Sequence, residues 1–316
     1  MKKLKIALWS LGKHAHKNII PSLLKSTKIE IIGIYSRDPH KFGLYSDRFL
    51  IYKNPEDMLE DDQVDAVYIS SPNSLHDDQV RQCVISNKHV IVEKTSFTNI
   101  ENAKISIGIA NKSNLVIMEA FMYKYHKLNK DLLKIISSND YGNLIFGISS
   151  FCFPHLDKDN IRYKEDLGGG ALNDAGAYTI ALAKDILGKN IELNFAHIDH
   201  KDYPVDISGC ALFTNSSANI FCKWGFGIAY RNSIELNFEK GNLFIDRAFS
   251  KPYDYEAIIK LEKDGEISEF ISGEDNHFIN MFDYFYELVD EKKCSAEYEN
   301  ILSQLKLLDE VRFYGK

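Results

Sequence analysis

Between residues 3 and 118, short apolar runs rich in Ile and Val alternate with helical patterns, and no other feature of the chain limits its fold so strongly. The runs fall at 5–10, 30–36, 66–70, 89–93 and 115–118, and they are continuous rather than alternating. A strand that reads this way is buried on both faces, as in a parallel sheet covered by helices. The helical patterns between the runs fall at about 15–25, 39–49, 55–60, 75–86 and 99–111. Strand–helix alternation of this kind predicts a doubly wound parallel sheet.

Beyond residue 120 the pattern changes. One helix near 127–137 and another ending near 187 interrupt strand-like segments at 144–153, 191–200, 207–214, 218–225, 233–238, 242–246, 255–261 and 267–271. Turns such as Lys240-Gly241-Asn242 separate some of them. The expected architecture is an α/β domain over 1–120, then an α+β domain over 121–316 with a large, open-faced, mostly antiparallel sheet. Helices at about 274–290 and 296–314 close the chain, the last of them free to pack back on the first domain. The helix ending near 187 covers one face of the second sheet. The other face must be polar or find a cover, which a homodimer or homotetramer built through this sheet would supply.

A length of 316 residues suits two domains, and a net charge of −7 argues against a nucleic-acid or anionic-membrane surface. No stretch approaches ~18 apolar residues, so no membrane span is expected. The five cysteines are odd in number and lack C-x-x-C spacing, which reads as reduced thiols in a cytoplasmic protein. The basic, then apolar opening is broken by Gly12 and Lys13 and has no cleavage-like site. A buried first strand explains it better than a signal peptide. His14 and His16 are two apart and point to different helical faces, so no metal site is expected there.

The first strand runs into Ser10-Leu11-Gly12-Lys13-His14-Ala15. Set on the dinucleotide fingerprint G-x-G-x-x-G/A, Gly12 is the glycine that lets backbone approach a pyrophosphate, Ala15 is an accepted third residue, and Ser10 replaces the first glycine. A plain tight turn is the alternative, and the place of the motif at the first strand–helix turn favours the cofactor. The second strand ends in Tyr35-Ser36-Arg37-Asp38. Ser36 and Arg37 suit a ribose 2′-phosphate, hence NADP, whereas Asp38 gripping a 2′-OH would mean NAD. Ser71, Pro72, Asn73 and His76 follow the next strand, where open α/β sheets bind ligands. Glu93-Lys94-Thr95 follows the strand after that. A lysine there would lie beside a nicotinamide and could hydrogen-bond a carbonyl or hydroxyl oxygen while hydride moves.

The second domain carries Gly168-Gly169-Gly170-Ala171-Leu172-Asn173-Asp174-Ala175-Gly176-Ala177-Tyr178. Three glycines cannot sit inside a stable helix, so they form its entrance. Their backbone can pass close to a ligand, and a helix start offers free N–H groups. Asp174 and Tyr178, four apart, project from one face and could move protons. A tight turn with a satisfied tyrosine accounts for the same residues equally well.

In order and spacing, these pieces resemble the Gfo/Idh/MocA family of NAD(P)-dependent oxidoreductases over nearly the whole chain. Glu119-Ala120-Phe121-Met122-Tyr123 and Asn160-Ile161-Arg162 belong to the same likeness. The resemblance implies a Rossmann domain, then an open-faced sheet domain, with the active site between them. It implies that Lys94 is the lysine of the E-K-P motif and that Asp174 and Tyr178 are the D-x-x-x-H/Y pair. The tyrosine resembles the branch with glucose–fructose oxidoreductase, dihydrodiol dehydrogenase and sugar-nucleotide 3-ketoreductases. Lys124, His126, Arg162 and Tyr163 are candidate substrate contacts, the cations suiting a phosphate-bearing substrate. Thr95 stands where the family has Pro, and Lys124 where many relatives have Arg. The expected activity is NAD(P)-dependent hydride transfer at a carbinol or carbonyl carbon of a sugar-like substrate. The alternatives are a dinucleotide-binding sensor without activity and a dihydrodiol-type dehydrogenase.

Overall fold

A computed structural model describes residues 2–38, 43 and 45–316. The chain divides into two compact units, residues 1–121 with 278–305 and residues 122–277 with 306–316. The return of 278–305 to the first unit is not announced by the strand pattern.

The first unit holds six strands, β1 (Leu4–Trp9), β2 (Ile29–Tyr35), β3 (Leu50–Ile51), β4 (Ala66–Ile69), β5 (His89–Val92) and β6 (Ile117–Glu119). They pair in the order β3-β2-β1-β4-β5-β6, all parallel. Ile6, Ala7 and Leu8 of β1, Val67 and Ile69 of β4 and Val90, Ile91 and Val92 of β5 are fully buried, which is why these strands read as unbroken apolar runs. The chain reverses its direction of growth between β1 and β4. That switch point opens a crevice at the carboxyl ends of the strands.

The crossovers are α1 (Ile20–Leu23), entered through a π-helical turn at Ala15–Ile19, then α2 (Pro55–Glu60), α3 (His76–Ile85) and α4 (Ile100–Lys112). Asn54 caps α2 by accepting from Asp57 N–H at 2.7 Å, with Pro55 in the first turn. Asn99 caps α4 by accepting from Glu101 and Asn102 N–H at 2.9 and 3.1 Å. Of the helix expected at 39–49, residues 39–42 and 44 lie outside the described residues, and 45–48 form a turn.

The second unit holds α5 (Lys127–Ser138), β7 (Leu144–Phe153), α6 (Ala177–Leu187), and β8 (Glu192–Asp199), β9 (Ser208–Thr214), β10 (Asn219–Phe226), β11 (Arg231–Phe238), β12 (Gly241–Asp246), β13 (Ala257–Lys263) and β14 (Glu266–Gly273). Their sheet runs β14-β13-β12-β11-β7-β10-β9-β8 and is antiparallel except for β7 against β10. Helix α6 packs on β7 and β10. Trp224 fixes that contact. An added Cβ at Gly209 of β9 would lie 2.6 Å from its ring, and one at Gly176, before α6, 2.9 Å. Only glycine on both sides admits the indole.

The opposite face of this sheet carries the cross-strand row Phe195, Leu212, Phe221 and Ile148, which passes into Glu235, Phe244, Lys260 and Glu269. Phe195 is 53% exposed. The chain closes with α7 (His277–Glu291) and α8 (Ser295–Tyr314).

Candidate active site

In the first unit, the turn after β1 keeps the fingerprint geometry without its first glycine. Ser10 takes φ +84°, the left-handed region that glycine favours. Its N–H donates to Tyr35 O at 2.7 Å, and its own carbonyl accepts from Ser70 Oγ at 3.1 Å. Leu11 and Ala15 are fully buried and anchor the turn to the sheet. Lys13 is exposed. Among the described residues, and apart from its two chain neighbours, no atom lies within 4 Å of where a Cβ on Gly12 would stand, so the backbone there has the open flank that a diphosphate needs.

After β2, Ser36 is buried and its Oγ accepts from Asp38 N–H at 3.4 Å, while Arg37 is exposed. An open glycine turn at the switch point, with an exposed arginine at the neighbouring strand end, fits a dinucleotide carrying a 2′-phosphate.

His76, expected at the cofactor surface, is instead fully buried. Nδ1 lies 2.8 Å from Thr95 O and Nε2 2.9 Å from Ser71 O. Burial lowers its pKa, against the pull of those two carbonyls. The ring is a strut that ties the loop after β4 to the turn after β5. Beside it, Ser71 Oγ bonds Gln79, and Asn73 opens a 3-10 turn.

Glu93 and Lys94 follow β5, and the Lys94–Thr95 peptide is cis. Glu119 of the E-A-F-M-Y stretch accepts from Ser96 N–H at 2.8 Å, so both sides of this turn are pinned. Glu93 accepts from Tyr68 OH, and its Oε1 lies 3.2 Å from His14 Nε2.

In the second unit the glycines do not leave the N–H groups open to a ligand, as the sequence suggested. They serve the chain's own close approach. Gly169 N–H donates to Lys164 O, Gly170 N–H to Arg162 O at 2.9 Å, and Ala171 N–H to Asp206 O at 2.9 Å. Leu172 N–H donates to Asp206 Oδ2 at 2.7 Å. An added Cβ at Gly169 would come within 2.5 Å of Arg162 O. The glycines are needed because backbone meets backbone there.

Helix α6 is entered through a π-helical turn, Leu172–Gly176, which carries Asp174. Such turns widen the helix and recur at functional sites. Asp174 Oδ2 meets Arg162 Nε at 2.5 Å. Tyr178 is buried among Phe151, Tyr123 and Phe249, with ring centroids 5.4–5.8 Å away, and its OH donates to Met122 Sδ at 3.3 Å.

The remaining substrate candidates divide. Arg162 is partly exposed beside Asp174. Lys124 pairs with Asp185 at 2.9 Å. Tyr163 is buried, its OH accepting from Leu156 N–H at 3.1 Å. His126 is fully buried and caps α5 by accepting from Leu128 N–H at 3.0 Å. Burial, with Lys251 nearby, lowers its pKa to about 4. Tyr163 and His126 are thus framework rather than surface.

Asp206, Asp185 and Tyr68 are partners that sequence reasoning missed. Only Asp185 had a readable signal. It lies seven residues after Tyr178, two turns on along the same helix face.

A 3-2-1-4-5-6 parallel sheet, an open glycine turn at its switch point and a lysine at a neighbouring strand end define a nicotinamide-dependent oxidoreductase. Residues 4–121 match the oxidoreductase family with NAD-binding Rossmann fold, and residues 130–244 match the GFO/IDH/MocA C-terminal domain. The chain belongs to the Gfo/Idh/MocA family, and it is an NAD(P)-dependent oxidoreductase.

Among its relatives, the dTDP-3,4-didehydro-2,6-dideoxy-alpha-D-glucose 3-reductase of Saccharopolyspora spinosa is 28% identical over 275 residues, 85% of this chain and 82% of that one. The D-xylose 1-dehydrogenase (NADP(+)) 2 of Haloferax volcanii is 32% identical over 194 residues, 60% of this chain and 59% of that one. The crystal structure of a 3-ketoreductase from Actinomadura kijaniata in complex with NADP and TDP-benzene superposes with TM-score 0.94 at 27% identity, covering 99% of this chain and 98% of that one. Tyr-to-Phe and Lys-to-Ala variants of that ketoreductase have also been solved.

Proposed function

We propose that this chain is an NADP-dependent reductase of a nucleotide-linked keto-sugar. The observation that carries the reading is that Lys94, Asp174 and Tyr178 are all present in a chain that follows a TDP-binding 3-ketoreductase over 99% of its length. The variants solved for that neighbour alter one lysine and one tyrosine, the residue types that the motifs place at 94 and 178 here.

When bound, the dinucleotide supplies the hydride. Arg37 holds the 2′-phosphate, and the open backbone at Gly12 takes the diphosphate. Lys94 Nζ donates to the carbonyl oxygen of the substrate and draws charge onto it. Tyr178 OH gives that oxygen the proton that completes the alcohol. In this structure that OH donates to Met122 Sδ, a weak acceptor. Asp174, held by Arg162, presents a fixed carboxylate to a sugar hydroxyl.

The cross-strand apolar row from Phe195 to Ile148 suits a homodimer or homotetramer built through this sheet. Five free thiols suit the cytoplasm. Among the described residues no helix is long and apolar enough to cross a membrane.

The test is NADPH oxidation with a dTDP-linked 3-keto-sugar, set beside NADP+ reduction with D-xylose, in wild type and Arg37→Ala. Turnover of the keto-sugar, with NADPH affinity falling about 10- to 100-fold in Arg37→Ala and NADH affinity unchanged, is the expected result, on the scale of a charge-assisted hydrogen bond. Turnover of xylose alone would replace the ketoreductase reading with an aldose dehydrogenase. Binding of NADPH without turnover of either would leave a sensor.

A further inference from the structure

Glu93 is a half-buried carboxylate next in sequence to the lysine on which the proposed chemistry depends, and the chain brings two side chains to one of its oxygens. Tyr68 OH donates to Oε1, and His14 Nε2 lies 3.2 Å from the same atom. The neighbouring contact assigns the histidine tautomer. Asn18 Nδ2 stands 3.0 Å from His14 Nδ1, and an amide nitrogen can only donate. In the neutral ring Nδ1 therefore accepts and Nε2 carries the hydrogen, and its 3.2 Å approach to Glu93 Oε1 is a close polar contact rather than an aligned hydrogen bond. Burial alone would push the Glu93 carboxyl up, but His14, Tyr68 and Lys94 outweigh it and hold the group below the usual carboxylate range.

Both side chains are backed from one helix face. Phe278 meets the His14 ring edge-on at 5.5 Å, and Phe282, four residues on along α7, lies 5.8 Å from the Tyr68 ring. Nothing in the dinucleotide fingerprint asks for a histidine at this place. Nor does the fold need a second donor, since Tyr68 reaches Glu93 from within the sheet. What His14 adds is a link. It stands in the turn after β1, and Glu93 is bonded through one peptide to Lys94.

We propose that His14 is a positioning residue for Lys94: its contact with Glu93 ties the dinucleotide turn to the end of β5, so that filling the turn aims the lysine. The proposal rests on the reading of Lys94 as the group that polarises the carbonyl. The role is indirect, since His14 acts through Glu93.

The experiment compares His14→Ala, His14→Gln, Lys94→Ala and the double variant His14→Ala/Lys94→Ala in the full chain. It reads NADPH affinity by nicotinamide fluorescence, kcat and KM with the keto-sugar, and the 13C resonance of reductively methylated Lys94 before and after NADPH. The Lys94 signal is assigned by its loss in Lys94→Ala. His14→Ala is expected to keep its NADPH affinity and to lose about 10-fold in kcat, the scale of a partner that orients a catalytic group. In the Lys94→Ala background the same change should cost nothing more, because residues that act as a unit are not additive. The Lys94 resonance should move on NADPH addition in wild type and stay still in His14→Ala. His14→Gln, whose amide can still donate to Glu93, should recover most of both effects. An equal loss of kcat in both backgrounds, a defect confined to NADPH affinity, or a Lys94 resonance that responds to NADPH without His14 would each overturn the proposal. If wild type turns over no keto-sugar, the functional reading fails, and the resonance still decides the role of His14.

Discussion

Arg162 and Asp174 lie twelve residues apart and meet Nε to Oδ2 at 2.5 Å, and the backbone joins them a second time. Gly170 N–H donates to Arg162 O, and Asp174 N–H donates to Gly170 O. The ion pair and the glycine approach are therefore one device. The backbone brings the arginine in, and its guanidinium then fixes the carboxylate at the mouth of α6.

This coupling predicts that Arg162→Lys is not conservative, because a point charge cannot reproduce the planar fork. A misplaced carboxylate should lower kcat/KM for the sugar by about 10- to 100-fold while NADPH affinity is untouched. Gly169→Ala should produce the same defect with Arg162 intact, since its Cβ would push against Arg162 O at 2.5 Å. Steady-state kinetics with NADPH titration of both variants checks this. A normal KM and kcat in Gly169→Ala would separate the glycines from the site.

Tyr178→Phe tests the assigned acid. Loss of a positioned proton donor costs about 10²- to 10⁴-fold in rate. The ring keeps its packing against Phe151, Tyr123 and Phe249, and the bond to the Met122 thioether is lost. The melting temperature should therefore stay close to that of wild type while kcat falls. A kcat near wild type would move the acid role to Lys94.

The sheet of the first unit was legible because strands buried on both faces leave unbroken apolar runs. Strand β3, only Leu50 and Ile51, was not, since two residues carry no period. Nor was the parallel pairing of β7 with β10, a long-range choice of register that no local pattern records. Much the same divides the site. Gly12, Lys94, Asp174 and Tyr178 stand in motifs, whereas Asp206, which takes the N–H of Leu172, lies 34 residues away in sequence. His76 was legible as a motif residue but not as a buried one. Its burial depends on two carbonyls that only folding brings to its ring.

Ser10 offers a stability test of the cofactor turn. A non-glycine residue at φ +84° pays about 1–2 kcal/mol for left-handed backbone. Replacing it with glycine removes that cost but gives back roughly 0.5–1 kcal/mol in chain entropy. Ser10→Gly should therefore stabilise by up to about 1.5 kcal/mol, provided the hydroxyl contributes nothing else. Urea unfolding checks the sign. Ser10→Val should go the other way, because a β-branched residue tolerates this conformation least. A less stable glycine variant would mean that the serine hydroxyl holds the turn.

His89 and His126 predict the response to acid. Burial lowers the pKa of each to about 4, His126 with help from Lys251, and His89 with Asp65 pulling slightly the other way. Each uses Nδ1 as an acceptor, from Val116 N–H at 3.0 Å and Leu128 N–H at 3.0 Å, which requires that nitrogen to be unprotonated. The unfolded chain takes up protons near pH 6.5, the ordinary histidine value. Between there and about pH 4 it binds more protons than the folded chain, so stability falls as the pH falls. The contribution is full above the ordinary value and lost through that window, at up to about 1.4 kcal/mol per pH unit for each ring. His89→Asn and His126→Asn should each flatten this slope, and an amide oxygen can still accept the backbone N–H. Urea unfolding from pH 4 to 8 measures the slopes, and a wild-type curve level across that range would show that the rings do not stay neutral in the fold.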